Sequence, residues 1–166
     1  MKKRWQEIQG PNDWKKFEEF ACILISHLID SLEVKVFQNI KTTGKEIDTV
    51  ICSKENMFNS HIAIEAKNRK ICKPEFISQI NTLIDLFETN VGFLVTKAPL
   101  KSSQIETIRA LNSKDRPKEI IPIQGYQIDE FFNSKKSTLD FLLDIIHMTQ
   151  YKIENLDIKR HNQKSI

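Results

Sequence analysis

Two stretches decide how this chain folds: Gly44-Lys45-Glu46-Ile47-Asp48-Thr49-Val50-Ile51-Cys52 and, after a polar turn, His61-Ile62-Ala63-Ile64-Glu65-Ala66-Lys67-Asn68. Both carry the period-two pattern of β-strands. In the second, Ile62, Ile64 and Ala66 share one face, and Ala63, Glu65 and Lys67 share the other. Glu65 and Lys67 therefore point the same way, roughly 7 Å apart along the strand. In the first, Glu46, Asp48, Val50 and Cys52 share a face. The turn Glu55-Asn56-Met57-Phe58-Asn59-Ser60 lets the two strands pair as a hairpin, which can bring Asp48 level with Glu65. An acid and a lysine closing an otherwise apolar strand are costly to desolvate, and pairing alone rarely justifies that cost.

The flanking sequence extends this hairpin into a sheet. Upstream, Glu33–Asn39 alternates around Val34 and Val36 and predicts a preceding strand, joined through Lys41-Thr42-Thr43-Gly44-Lys45. Before it, Trp14, Phe17, Phe20, Ala21, Leu24, Ile25 and Leu28 recur at helical spacing, with Asn12 or Asp13 as N-cap. Downstream, Pro74 opens a helix with the stripe Phe76, Ile80, Leu83, Ile84 and Phe87. The short apolar run Val91–Thr96 suits a strand buried on both faces. A helix over Ser102–Leu111, a strand over Glu119–Gln124, a helical turn over Ile128–Phe132 and a last helix over Ser137–Tyr151 follow. Hairpins early and strand–helix–strand crossovers later predict an α/β fold: a mixed central β-sheet flanked by helices on both faces, in the order αβββαβαβ plus a C-terminal helix. Residues 1–153 form one domain in this reading, and 154–166 a polar, flexible tail.

Composition excludes several function classes. The chain has 166 residues, 40% hydrophobic and 28% charged, with a formal net charge of +3. A charge that small permits nucleic-acid binding without demanding it. No apolar run approaches the ~20 residues of a membrane span, and the charged N-terminus lacks a signal peptide's apolar stretch. The expected location is the cytoplasm. Cys22, Cys52 and Cys72 are too scattered for a disulfide framework or a zinc site and read as small buried apolar side chains. His27, His61, His147 and His161 are equally dispersed.

Two carboxylates and a lysine on one sheet face can hydrolyse a phosphodiester. Asp48 and Glu65, with the carbonyl of Ala66, offer oxygen ligands to Mg²⁺, for which Mn²⁺ can substitute. Lys67 can orient the attacking water and offset the negative charge of the transition state. Glu46 could be an accessory ligand, though a solvent-facing turn residue is the simpler reading. Asn68, Arg69, Lys70 and Lys73 follow directly and would supply phosphate contacts, with Lys97 and Lys101 as a weaker extension.

Gly44-Lys45-Glu46-Ile47-Asp48, the hairpin, and Ile64-Glu65-Ala66-Lys67-Asn68 together resemble the G-x-x-x-D … E-x-K signature of the PD-(D/E)xK nucleases, most of all the Mrr-like branch known from modification-dependent restriction enzymes. The likeness extends to the aromatic-Glu pair in Trp14-x-x-Phe17-Glu18 and to Gly92-Phe93-Leu94-Val95-Thr96. It spans about Trp14 to Gln124. It implies a restriction-endonuclease-like fold and a Mg²⁺-dependent endonuclease acting on DNA, serving restriction or defence. It also implies roles for Glu18, which borders the core stripe and would reach the metal, and for Gln79, which would lie near the phosphate. The alternatives are a structure-specific nuclease of the Holliday-junction-resolvase or repair kind, and a catalytically silent module that binds nucleic acid or a partner. No DNA-reading motif is legible, so specificity is low or comes from a partner subunit. The apolar residues of the last helix (Leu139, Phe141, Leu142, Leu143, Ile145, Ile146, Met148) wrap much of its circumference, which raises a homodimer through that helix.

Overall fold

The computed structural model describes the backbone of residues 1–29, 34–42, 45–53, 61–112 and 118–163, and the side chains of residues 1–28, 62–112 and 118–150. Five strands form one sheet in the order β1 (Val34–Thr42), β2 (Lys45–Ser53), β3 (His61–Lys67), β4 (Val91–Thr96) and β5 (Glu119–Gln124). The first three pair antiparallel and the last three parallel. The sheet is mixed and the class is α/β, as the change of pattern along the chain predicted. The polar turn at 55–60 and residues 43 and 44 lie outside the described residues.

The helices are α1 (Lys2–Gln6), α2 (Trp14–Ser26), α3 (Glu75–Leu86), α4 (Ser102–Asn112), α5 (Gly125–Phe132) and α6 (Thr138–Gln163). Helices cover both sheet faces because the strand residues alternate between two cores. Ile64, Ala66, Phe93, Val95, Ile121 and Ile123 pack with Phe17, Phe20, Leu24 and Ile25 of α2 and Phe141, Leu142 and Ile145 of α6. Ala63, Leu94 and Ile120 pack instead with Phe76, Ile80 and Ile84 of α3 and Ile108 of α4. Each fully buried Phe, Leu or Ile contributes about 1.5–3 kcal/mol relative to exposure. Gly92 is required where α3 crosses β4: a Cβ there would lie 2.6 Å from Ile84 Cδ1 and 2.9 Å from Ile80 Cγ1.

The structure adds detail to three expectations. Helix α6 continues past residue 154 to Gln163. Nothing from Thr138 to Gln163 is Gly or Pro, so the helix persists after its apolar period has faded. Asp13 is the N-cap of α2, as expected, but its side chain makes no bond to the helix. Its carboxylate instead accepts from the backbone N–H groups of Gln9 (3.0 Å) and Gly10 (3.2 Å), closing the 3₁₀ turn Pro11–Asp13. In α6, Leu139, Leu143 and Met148 are exposed rather than wrapped into the core.

The outer edge of β5 is closed to further strand pairing. Asn112 holds both the N–H and the carbonyl of Ile120 at 2.9 Å. Pro122 has no N–H to offer. The N–H of Gln124 donates to Gln127 Oε1 at 2.8 Å. Among the described residues, no helix is long and apolar enough to cross a membrane.

Candidate active site

The parallel pairing brings the C-terminal ends of β3, β4 and β5 together, the side of such a sheet where ligands ordinarily bind. Lys67 pairs with Thr96, and the N–H of Lys97 donates to the carbonyl of Lys67 at 3.1 Å. Gly125, at the start of α5, seats against the same turn: a Cβ on it would lie 2.4 Å from the carbonyl oxygen of Lys97. The strand ends are thus fixed to one another by backbone contacts.

Glu65 is only 3% exposed, and Lys67 Nζ lies 2.5 Å from its Oε1. The ammonium also sits 5.7 Å from the centroid of the Phe76 ring. This is not a surface pair on an edge strand, because β3 lies between β2 and β4. Desolvating such ions costs several kcal/mol each, which their attraction only partly returns. Stability alone is a poor reason for their presence, and a buried titratable pair at a strand end is a candidate functional site.

The β2–β3 partners run from Cys52 with His61 to Thr49 with Ile64. Asp48 and Glu65 each lie one residue beyond the last of these pairs. The side chains of Asp48 and Glu46 lie outside those described.

The remaining candidates divide. Ala66 places its methyl in the α2-side core, between Glu65 and Lys67 on the strand. Glu18 is half-buried on α2 while Glu19 is exposed. However, α2 covers the face of Ile64 and Ala66, whereas Glu65 and Lys67 share the face of Ala63 under α3. Gln79 is exposed on α3, one turn beyond Phe76.

Arg69, Lys70 and Lys73 are exposed, but Asn68 is not part of that rim. It is 6% exposed, and its Nδ2 donates to the carbonyl of Gly10 at 2.6 Å. Its neighbours in sequence are cations, yet its amide is consumed in tying the end of β3 to the loop before α2. Lys97 also leaves the rim, with its ammonium 3.4 Å above the centroid of the buried Trp5 ring. Burial lowers its pKa, and nearby Asp129 acts in the opposite sense. Trp5 Nε1 in turn donates to Asp129 at 2.6 Å.

Sequence reasoning missed two buried glutamines. Gln104 accepts from the N–H of Lys101 (2.8 Å) and donates to the carbonyl of Cys72 (3.0 Å). Gln124 accepts from the N–H of Leu100 at 2.7 Å. Nothing in their local sequence distinguishes them from surface glutamines. Cys22 and Cys72 are buried and unbridged, as expected, and burial pushes the Cys72 thiol up, away from reactivity.

Among the described residues, no group of three or more His, Cys, Asp or Glu side chains is placed to hold a metal ion. A Mg²⁺ site needs less, because one or two carboxylates suffice when waters and substrate phosphate complete the shell. The buried carboxylate of Glu65 offers the oxygen donor that such a hard cation prefers.

No family model matches this chain, and neither a curated protein nor a solved structure matches it.

Proposed function

We propose that this protein is a metal-dependent nuclease of the PD-(D/E)xK, restriction-endonuclease-like kind, cutting DNA phosphodiester bonds. One observation carries the reading: a buried Glu65 paired to Lys67 on a central strand. Asp48 and Glu65 each lie one residue past the last β2–β3 pair, and the reading continues that register to bring them together. The order of strands and helices around it is compatible with that fold, and the sequence resemblance spans the same elements.

In this reading Asp48, Glu65 and the Ala66 carbonyl would hold Mg²⁺ or Mn²⁺. Bound there, the ion would polarise the phosphate and ease ionisation of water. Lys67 orients that water and offsets the charge that builds on the phosphate oxygens. Glu65 holds the lysine ammonium at the end of β3 until substrate arrives. The loop cations Arg69, Lys70 and Lys73 retain the DNA backbone. Glu18 and Gln79 contribute as an added ligand and a phosphate contact, and a partner subunit or a second copy docked on α6 supplies specificity or the second cut.

The test is cleavage of supercoiled plasmid and of linear duplex at low salt, with Mg²⁺, Mn²⁺ or EDTA. Metal-dependent cutting by the wild type, lost in Asp48→Ala and Glu65→Gln, is the expected result. A direct Glu65–Lys67 ion pair also suits a silent binding module. Equal DNA binding by wild type and variants, with no cutting in any metal, would favour that second reading.

A further inference from the structure

The loop leaving β3 joins two chemical features that a phosphate-binding rim alone does not need. Ile71 is 65% exposed, the most exposed large apolar side chain among the described residues. Its neighbours Arg69, Lys70 and Lys73 are exposed cations. An isoleucine left in water at the tip of a basic loop forgoes the burial that a core position would give it.

The loop is held at both of its feet. On one side the Asn68 amide is buried and donates to Gly10. On the other, Cys72 is buried and its carbonyl accepts from the buried Gln104. Lys73 then joins α3, its carbonyl accepting from the N–H of Phe76 at 3.2 Å. Between these anchors only residues 69–71 project. Their presentation costs little ordering entropy on binding.

The Asn68–Gly10 bond also links the loop to the chain leading into α2. That segment repeats the combination: Trp14 is exposed, with Lys15 Nζ 5.3 Å from its ring centroid. Two anchored elements thus each offer an apolar side chain framed by positive charge. A polyanion with an apolar interior fits this pattern, and duplex DNA is one: phosphates outside, stacked bases within.

We propose that the Asn68–Lys73 loop is a preorganised wedge, in which Arg69, Lys70 and Lys73 grip phosphates while Ile71 presses against or between base pairs of duplex DNA. Side chains of this size that enter a groove partly unstack a base step and kink the duplex. The inference rests on the nuclease reading for its substrate, but it concerns binding and not hydrolysis. It would deform the duplex close to Lys67, four residues before Ile71.

Binding of the full chain to a labelled random-sequence duplex would be measured in EDTA at several salt concentrations, with Ile71→Ala, Ile71→Leu and single alanine variants of the three cations. Ile71→Ala is expected to weaken binding by about tenfold with an unchanged salt slope, the effect of losing one buried isoleucine. Ile71→Leu should stay near wild type. Each cation variant should lower the salt slope by about one. Ile71 is exposed, so its variants should melt at the wild-type temperature.

An Ile71→Ala affinity within about twofold of wild type overturns the wedge. So does tighter binding to phosphatidylserine vesicles than to duplex, which would mark the loop as a membrane contact. Plasmid cutting is scored separately. A cutting protein with an inert Ile71 would lose the wedge alone, and a binding protein with the Ile71 signature but no cutting would lose the nuclease reading alone.

Discussion

Glu65 and Lys67 were legible as a pair because strand alternation fixes their common face without any knowledge of the rest of the fold. Their burial was legible too, from the apolar residues on either side. The pair's energetics give a test independent of activity. Replacing both with apolar residues (Glu65→Leu with Lys67→Met) should leave stability unchanged or raise it by about 1–4 kcal/mol, while Lys67→Ala alone should cost up to about 3–5 kcal/mol. Urea denaturation measures both, and a double variant much less stable than wild type would mean that the pair is there for the fold. Asn68 and Lys97 were misplaced because sequence proximity to cations cannot show where an amide or ammonium finds its partner. Those partners, Gly10 and Trp5, lie far away in the chain. Asp13 offers a pH prediction. The N–H groups of Gly10 and Gln9, then Lys16, hold its carboxyl below its ordinary value. A depressed carboxylate contributes stability above the usual carboxylate pKa and loses it as pH falls through the lower folded value. Asp13→Asn should therefore melt below wild type at neutral pH, with the two melting temperatures converging in strong acid.

Individual elements followed the sequence where their period was long enough to read. Val91–Thr96 and Glu119–Gln124 form strands with the expected bounds. The five-residue α1 was missed, being too short to show a period, and it is held by a contact from Trp5 to Asp129 that no local signal reveals. Helix α3 ends in a way that can be improved. Glu88 adopts φ 51°, in the left-handed region, while the N–H of Thr89 reaches back to Ile84 at 3.0 Å. A side chain in that conformation costs roughly 1 kcal/mol that glycine avoids. Glu88→Gly should raise stability by about 0.5–1 kcal/mol in chemical denaturation. A loss instead would show that the Glu88 side chain makes a contact worth more than the relief. The closed edge of β5 follows the same logic of local satisfaction: a proline and two side-chain amides occupy what another strand would use.

At the scale of the molecule, alternation within strands and the two crossovers gave the mixed sheet, and the hairpin pairs β2 with β3 as far as Thr49 and Ile64. What the sequence could not show was which sheet face each helix covers. Glu18 was read as reaching the metal; it is half-buried on α2, whose core residues pack on the other sheet face. That assignment depends on how the crossovers wind, which periodicity does not encode. Nor did the mild net charge point to a partner, since the relevant cations are concentrated on one anchored loop beside the pair. The central claim is that Lys67, held by Glu65 at the end of β3, acts on a phosphodiester. The most direct test is the rate of plasmid nicking by wild type and Lys67→Ala in Mg²⁺, at a temperature where circular dichroism shows both folded. The account predicts a loss of at least about a hundredfold, the scale of removing one charge-stabilising group from a transition state. Equal rates in the two proteins would contradict it.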